Sequence, residues 1–205
     1  MTTWAIVPVK PFVRAKSRLA SVLTPEQREA LAERMLRHGL ATLSSVRDIA
    51  EVMVISRDTK VLAIAREYGA HTVQESGAPE LNAALLRATE VARLRGATSV
   101  LVLPADLPLY TAQDVEEVVH LGRFRHTVVL VSDRNKDGTN AILINPPGFI
   151  PYAFGAGSFQ RHCELAEQSG ATLKIHHSER LSIDIDTPSD LAFYEEQLGG
   201  VPHAS

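Results

Sequence analysis

Short runs of apolar and β-branched residues alternate along the chain with longer stretches whose apolar residues recur at helical spacing. Trp4–Val9 is the first such run, and it can be buried on both faces. Glu51–Ile55, Ala70–Val73, Ser99–Leu103, Thr127–Val131, Ala141–Ile144 and Leu173–His177 read as further strands, with Ser99–Leu103 central. Between them lie helices with recognisable ends. Thr24 can cap the first, Pro25 suits its opening turn and Gln27 completes a capping box. That helix is expected to reach about Leu43, with Leu31, Met35 and Leu36 on its apolar stripe. Asp58 opens a helix that stops at Tyr68-Gly69, and Leu81–Arg95 is closed by Gly96. Thr111 caps a helix to about Leu121, Phe159–Ser169 is stopped by Gly170, and Thr187-Pro188 opens the last helix, to about Leu198. Glu75–Pro79 and Pro146–Gly157 read as loops.

Strands that alternate with helices argue a largely parallel, three-layer α/β sheet. The expected unit is one domain over residues 1–198, with 199–205 a flexible tail. In such sheets ligands sit beyond the carboxyl ends of the strands. That singles out Lys10–Leu23, Ser56–Asp58, Pro104–Tyr110, Ser132–Asn140 and the segment before the last helix.

Composition narrows the function. The net charge is -3 over 205 residues, 45% of them hydrophobic. A chain-wide surface for nucleic acid or membrane is therefore not expected, and any basic function is local. No stretch approaches the roughly 18 apolar residues of a bilayer span. Met-Thr-Thr-Trp leads straight into a strand, so no signal peptide is expected. The single cysteine, Cys163, permits no intramolecular disulfide and fits a reducing cytoplasm.

Lys10, Arg14, Lys16 and Arg18 fall within nine positions after the first strand, with no acidic residue among them. They can converge on a polyphosphate, lysine as a point charge and arginine as a forked donor. The plainer alternative is a solvated basic loop. Neither GxxxxGK[ST] nor GxGxxG occurs. "LVLPADLPLY" places Asp106 just past the central strand between two prolines, as a ligand for a hard cation such as Mg²⁺ or as a turn residue. In "SIDIDTPSD" the period-two spacing turns Asp184 and Asp186 to one face and Ile183 and Ile185 to the other. Adjacent like charges favour a cation between them, and Thr187-Pro188 already supplies the helix cap.

"DGTNA" (137–141) and "FGAGSF" (154–159) resemble anion-binding loops, with Thr139 and Ser158 supplying hydroxyls. An ordinary N-cap is the plainer reading of Ser158. The eight histidines form no metal signature, and structural or surface roles are expected for them, His162 included. No G-x-S-x-G elbow is present, and Cys163 reads as a small core residue, which argues against covalent catalysis.

"VPVK" with "AKSRL", then "LNAAL", "LPADLPL", "DGTNA", "FGAGSF..H" and "DIDTPSDL" occur in the order of the 2-phospho-L-lactate guanylyltransferases. The chain resembles that family, and its phosphoenolpyruvate and 3-phosphoglycerate relatives, over nearly its whole length. The resemblance implies a nucleotide-diphospho-sugar transferase-like (Rossmann-like) domain with a mostly parallel mixed sheet. It implies transfer of GMP from GTP to a phosphorylated three-carbon acid, in biosynthesis of the deazaflavin coenzyme F-420. It assigns Lys16 and Arg18, with Lys10 as a helper, to the GTP phosphates. Asp106, Asp184 and Asp186 go to Mg²⁺, and Thr139, Gly155 and Ser158 to the acid. Ser56, Arg57, Leu81 and Asn82 are implied to lie near guanine and ribose. The first loop departs from many nucleotidyltransferases in having Pro11-Phe12-Val13 and no glycine. Transfer to a sugar phosphate or molybdopterin, and a non-catalytic nucleotide-binding domain, are the alternatives. A two-fold homodimer is the base-rate expectation.

Overall fold

The computed structural model describes residues 1–76 and 80–197. The expected tail and the last positions of the Glu75–Pro79 loop lie outside the described residues. In chain order the elements are β1 (Thr3–Val9), α1 (Pro25–Ser45), β2 (Ile49–Ser56), α2 (Thr59–Glu67), β3 (His71–Gln74), α3 (Leu81–Leu94) and β4 (Ser99–Val102). Then follow α4 (Ala112–Leu121), β5 (Thr127–Ser132), β6 (Thr139–Asn145), α5 (Ser158–Gln168), β7 (Thr172–Ile175) and α6 (Pro188–Gln197). The helix starts obey local chemistry. Thr24 accepts from the Gln27 amide while the Gln27 side chain accepts from the Thr24 amide. Asp58 caps α2 through the Lys60 amide. One expectation changes: β7 ends at Ile175, so His176, whose amide still donates to the Leu130 carbonyl, and His177 follow the strand and are not part of it.

The strands form one sheet in the order β3-β2-β1-β4-β6-β5-β7. Every pairing is parallel except those of β6, which runs antiparallel to both β4 and β5. Alternate side chains divide the core. Ala5, Val7, Val54, Leu101 and Leu143 point to the layer that includes α1, α2 and α4. Trp4, Ile6, Ile55, Val102 and Ile142 point to the layer that includes α3 and α5.

Two consequences position the site. Successive strands step outward from β1 to β2 and β3, and the chain then returns to lay β4 on the other side of β1. The carboxyl ends of β1 and β4 thus flank a topological switch point, where open α/β sheets bind ligands. Because β6 is antiparallel, its first residue, Thr139, lies at that same edge, paired with Ser132 at the end of β5. A third, smaller core joins Leu19 of the basic loop, Leu31 and Met35 of α1, Ile185, and Leu191 and Tyr194 of α6. It fastens the basic loop to the Asp184–Asp186 segment.

Candidate active site

The loop after β1 contains no glycine, yet it turns tightly. Two 3-10 turns, Phe12–Arg14 and Ser17–Leu19, are joined by Lys16 in the left-handed region at φ 54°. An L-residue pays about 1–2 kcal/mol for that conformation, so the site must hold Lys16 there. It does so through the side chain. Lys16 Nζ donates to Asp106 Oδ2 and to Asp186 Oδ1, each at 3.2 Å. The lysine side chain is only 4% exposed, whereas those of Asp106 and Asp186 are 36% and 44% exposed. Burial pulls the Lys16 ammonium toward losing its proton, but the charges of Asp106 and Asp186 outweigh it and raise the pKa.

The four cations of the loop are therefore not equivalent. Lys16 is buried against the acids; Lys10, Arg14 and Arg18 are exposed. Arg18 Nη1 reaches to 3.8 Å of Asp186 Oδ2. The loop is held from below by Leu19, which is 0% exposed, and from the side by Asp58, whose Oδ2 accepts from the Phe12 amide.

Three acidic side chains share this corner. The Ile185 amide donates to the backbone carbonyl of Asp106 at 3.3 Å, drawing the two acidic segments together. The period-two spacing survives without a strand: Ile183 and Ile185 are buried, and Asp184 and Asp186 remain partly open. Burial, and then the charges of Asp106 and Asp186, push the Asp184 carboxyl up to about 6. Asp190 stabilises the turn by accepting from the amides of Asp186 and Thr187, while Thr187 Oγ1 accepts from the Asp190 amide. Among the described residues, no group of three or more His, Cys, Asp or Glu converges closely enough to hold a metal ion on its own. Asp106 and Asp186 turn to Lys16 instead. The donor set still suits a hard cation. It offers only carboxylate oxygens, and Asp184, raised first by its burial, also feels the charges of both Asp106 and Asp186.

The residues expected at the acid subsite form a connected network. The Thr139 amide donates to Ser158 Oγ at 2.9 Å. The Gly157 amide donates to Asp137 Oδ2, and the Phe159 amide to the Asp137 carbonyl. Gly155 is exposed with φ 129°, a conformation that favours glycine. Arg161 folds back onto this loop, donating to the carbonyls of Ala153 and Ala156. Ser158 is the first residue of α5; Gly157 is the N-cap. Asn140 Nδ2 donates to the Leu181 carbonyl and so ties this network to the acidic segment.

The residues expected near guanine and ribose take separate places. Ser56 is fully buried, and its hydroxyl accepts from the Asp58 amide. Arg57 pairs with Glu75 at 3.4 Å. Leu81 is 41% exposed at the start of α3. Asn82 clamps Phe154, accepting from its amide at 2.8 Å and donating to its carbonyl at 3.3 Å. Asn82, Asn140 and His162 all fall in motifs of the sequence, but the structural parts they play are not legible there, since their partners lie far away in sequence.

An α/β sheet with charged loops at a β1/β4 switch point is an architecture this chain shares with solved nucleotidyltransferases. A solved Desulfovibrio desulfuricans structure, described as a nucleotide-diphospho-sugar transferase, superposes with a TM-score of 0.80 at 16% identity, covering 98% of this chain and 90% of that one. The chain belongs to the family described as guanylyl transferase CofC like, whose model matches residues 3–195. It is 40% identical over 202 residues to a phosphoenolpyruvate guanylyltransferase of Sphaerobacter thermophilus, covering 98% of this chain and 95% of that protein. It is 34% identical over 192 residues to a 2-phospho-L-lactate guanylyltransferase of Methanothermobacter thermautotrophicus, covering 93% and 83%.

Proposed function

We propose that the protein is a guanylyltransferase that moves GMP from GTP onto the phosphate of a three-carbon acid and releases pyrophosphate. The acceptor is phosphoenolpyruvate, 2-phospho-L-lactate or 3-phosphoglycerate, and the product serves deazaflavin coenzyme F-420 biosynthesis. The observation that carries the reading is the Lys16 bridge to Asp106 and Asp186 at the switch point, in a chain of this family.

A phosphate oxygen of the acceptor forms a bond to the α-phosphorus, and the bond from that phosphorus to the β-phosphate bridging oxygen breaks. The second pKa of a phosphate ester is about 6, so the nucleophile is already largely ionised at neutral pH. No general base is needed. The barrier is repulsion between anions, and the task is alignment and charge neutralisation. Lys16, held rigidly at the end of β1, supplies one fixed positive charge. Arg18, exposed beside it, is free to fold over the leaving pyrophosphate, and Lys10 adds charge at the rim. Asp106, Asp184 and Asp186 would hold Mg²⁺, which supplies Lewis-acid neutralisation of phosphate oxygens when bound. Thr139, Ser158 and the Gly155 loop hold the acid, with the Arg161 guanidinium packed against that loop. Arg57 and Leu81 are assigned to the nucleoside by the family resemblance, and Asn82 serves it by holding the Phe154 loop.

The test incubates the protein with GTP, Mg²⁺ and each of the three acids, with pyrophosphate release and product mass as readouts. A guanylylated acid is the expected product, with phosphoenolpyruvate the first to try. Transfer only to a sugar phosphate or a pterin phosphate, or no pyrophosphate release with any acceptor, overturns the reading.

A further inference from the structure

The acceptor end of the site contains one side chain to which the chemistry above gives no part. His162, in α5, is 0% exposed. The Ala153 amide donates to its Nε2 at 2.9 Å. A backbone amide can only donate, so Nε2 carries no proton. Burial, with the Arg161 charge beside it, lowers the ring's pKa to about 4. At neutral pH the ring thus bears a single proton, and that proton is on Nδ1. Nδ1 lies 2.9 Å from Thr139 Oγ1 and donates to it.

This fixes the polarity of the threonine. A hydroxyl has one hydrogen to give. Once Thr139 Oγ1 accepts from His162, its own hydrogen is left for another partner. The opposite tautomer would take that hydrogen and leave Thr139 only lone pairs, which repel an anion. The same ring meets Phe154 edge-on at a centroid distance of 5.0 Å. Asn82 holds Phe154 from the other side through both of its backbone groups. One imidazole therefore sets both the direction of the hydroxyl and the place of the 153–157 loop.

We propose that His162 is a positioning residue for the acceptor: its Nδ1–H tautomer makes Thr139 a hydrogen-bond donor to the anionic group of the three-carbon acid. The proposal rests on the reading that Thr139 belongs to the acceptor subsite. His162→Gln keeps an acceptor for the Ala153 amide and loses the link to Thr139. His162→Asn keeps a donor near Thr139 and loses Ala153. His162→Gln should raise the acceptor KM about tenfold or more, as loss of a hydrogen bond to a charged group does. The GTP KM should stay within about twofold, and His162→Asn should retain most of the acceptor affinity. Thr139→Val separates the two ideas. If Thr139→Val leaves the acceptor KM unchanged, the subsite reading fails. If it raises that KM and His162→Gln does not, the histidine proposal fails alone. In the double variant the effects should not add, because both remove one interaction. Nitrogen-15 spectra of the histidine rings in the whole protein give a reading that needs no variant to be active. An Nδ1–H signature for His162 supports the proposal, and an Nε2–H signature overturns it.

Discussion

Lys16 and Asp186 are joined at 3.2 Å although 170 positions separate them in the chain. The pair closes the site from two sides, since Lys16 follows β1 and Asp186 precedes α6. The lysine is buried, but its carboxylate partners are more than a third exposed, so solvent screens the pair and its contribution to stability is modest. Its contribution to reaction is expected to be large. Lys16→Met should lower kcat/KM for GTP by at least about a hundredfold, as loss of a fixed charge at a phosphoryl centre does. The midpoint of thermal unfolding should move by only a few degrees, about 1 kcal/mol. Steady-state kinetics with a thermal melt of the same sample checks both. Near-normal turnover would remove Lys16 from the mechanism.

Asp106 makes the complementary case. Its backbone carbonyl, not its side chain, accepts from the Ile185 amide. Asp106→Asn therefore keeps the join between the acidic segments and removes one charge. Turnover should fall by at least about a hundredfold with the fold intact, the expected result of losing a metal-ligating carboxylate. Circular dichroism and a Mg²⁺ titration of activity read the two outcomes separately. A variant with wild-type turnover would contradict the assignment of Asp106 to the metal.

Much of this site is legible in the linear sequence because its charges sit in short segments that directly follow β1 and β4 or directly precede α6. Asp184 and Asp186 read as a pair since Ile183 and Ile185 alternate with them, and burial follows that alternation even though no strand forms. Thr24, Asp58 and Thr187 mark helix starts by chemistry that acts within three or four residues. Long-range choices are less visible. The basic loop presents four cations that look alike, and only tertiary packing through Leu19 buries Lys16 and leaves the others outside. Asn82 reads as a helix-start residue near the nucleotide, but its side chain is occupied by Phe154, 72 positions away. His162 closes the "FGAGSF..H" motif, but nothing in the motif shows what the ring does, because its two partners belong to β6 and to an irregular loop.

The small core under the site predicts a mutation with two effects. Leu19 and Ile185 are both 0% exposed in the cluster that joins the basic loop to α6. Leu19→Ala removes buried methyl groups and should cost about 2–5 kcal/mol, depending on how far the cluster collapses. The slack it leaves lies directly beneath Lys16 and Arg18. The GTP KM should therefore rise more than the acceptor KM. Chemical denaturation gives the first quantity and two-substrate kinetics the second. Equal changes in the two KM values would show that the cluster serves stability without aiming the loop.

His162 also predicts how stability depends on pH. An unfolded histidine takes up its proton near 6.5, whereas the buried ring resists until about 4. Between those values the unfolded chain binds more protons than the folded one. Stability from this group is thus full above about 6.5, falls as the pH drops through the window, and is lost below about 4. The size of the effect is about 3 kcal/mol for a shift of this order. Carboxylates titrate in the same range, Asp184 at about 6 among them, so the wild type must be compared with His162→Asn, which has no ring to protonate. Urea unfolding at steps between pH 7.5 and 4.5 should show the wild type losing stability faster than the variant as the pH falls. Parallel curves would mean that the ring is protonated in the folded state, and the Ala153 amide could then not be donating to Nε2.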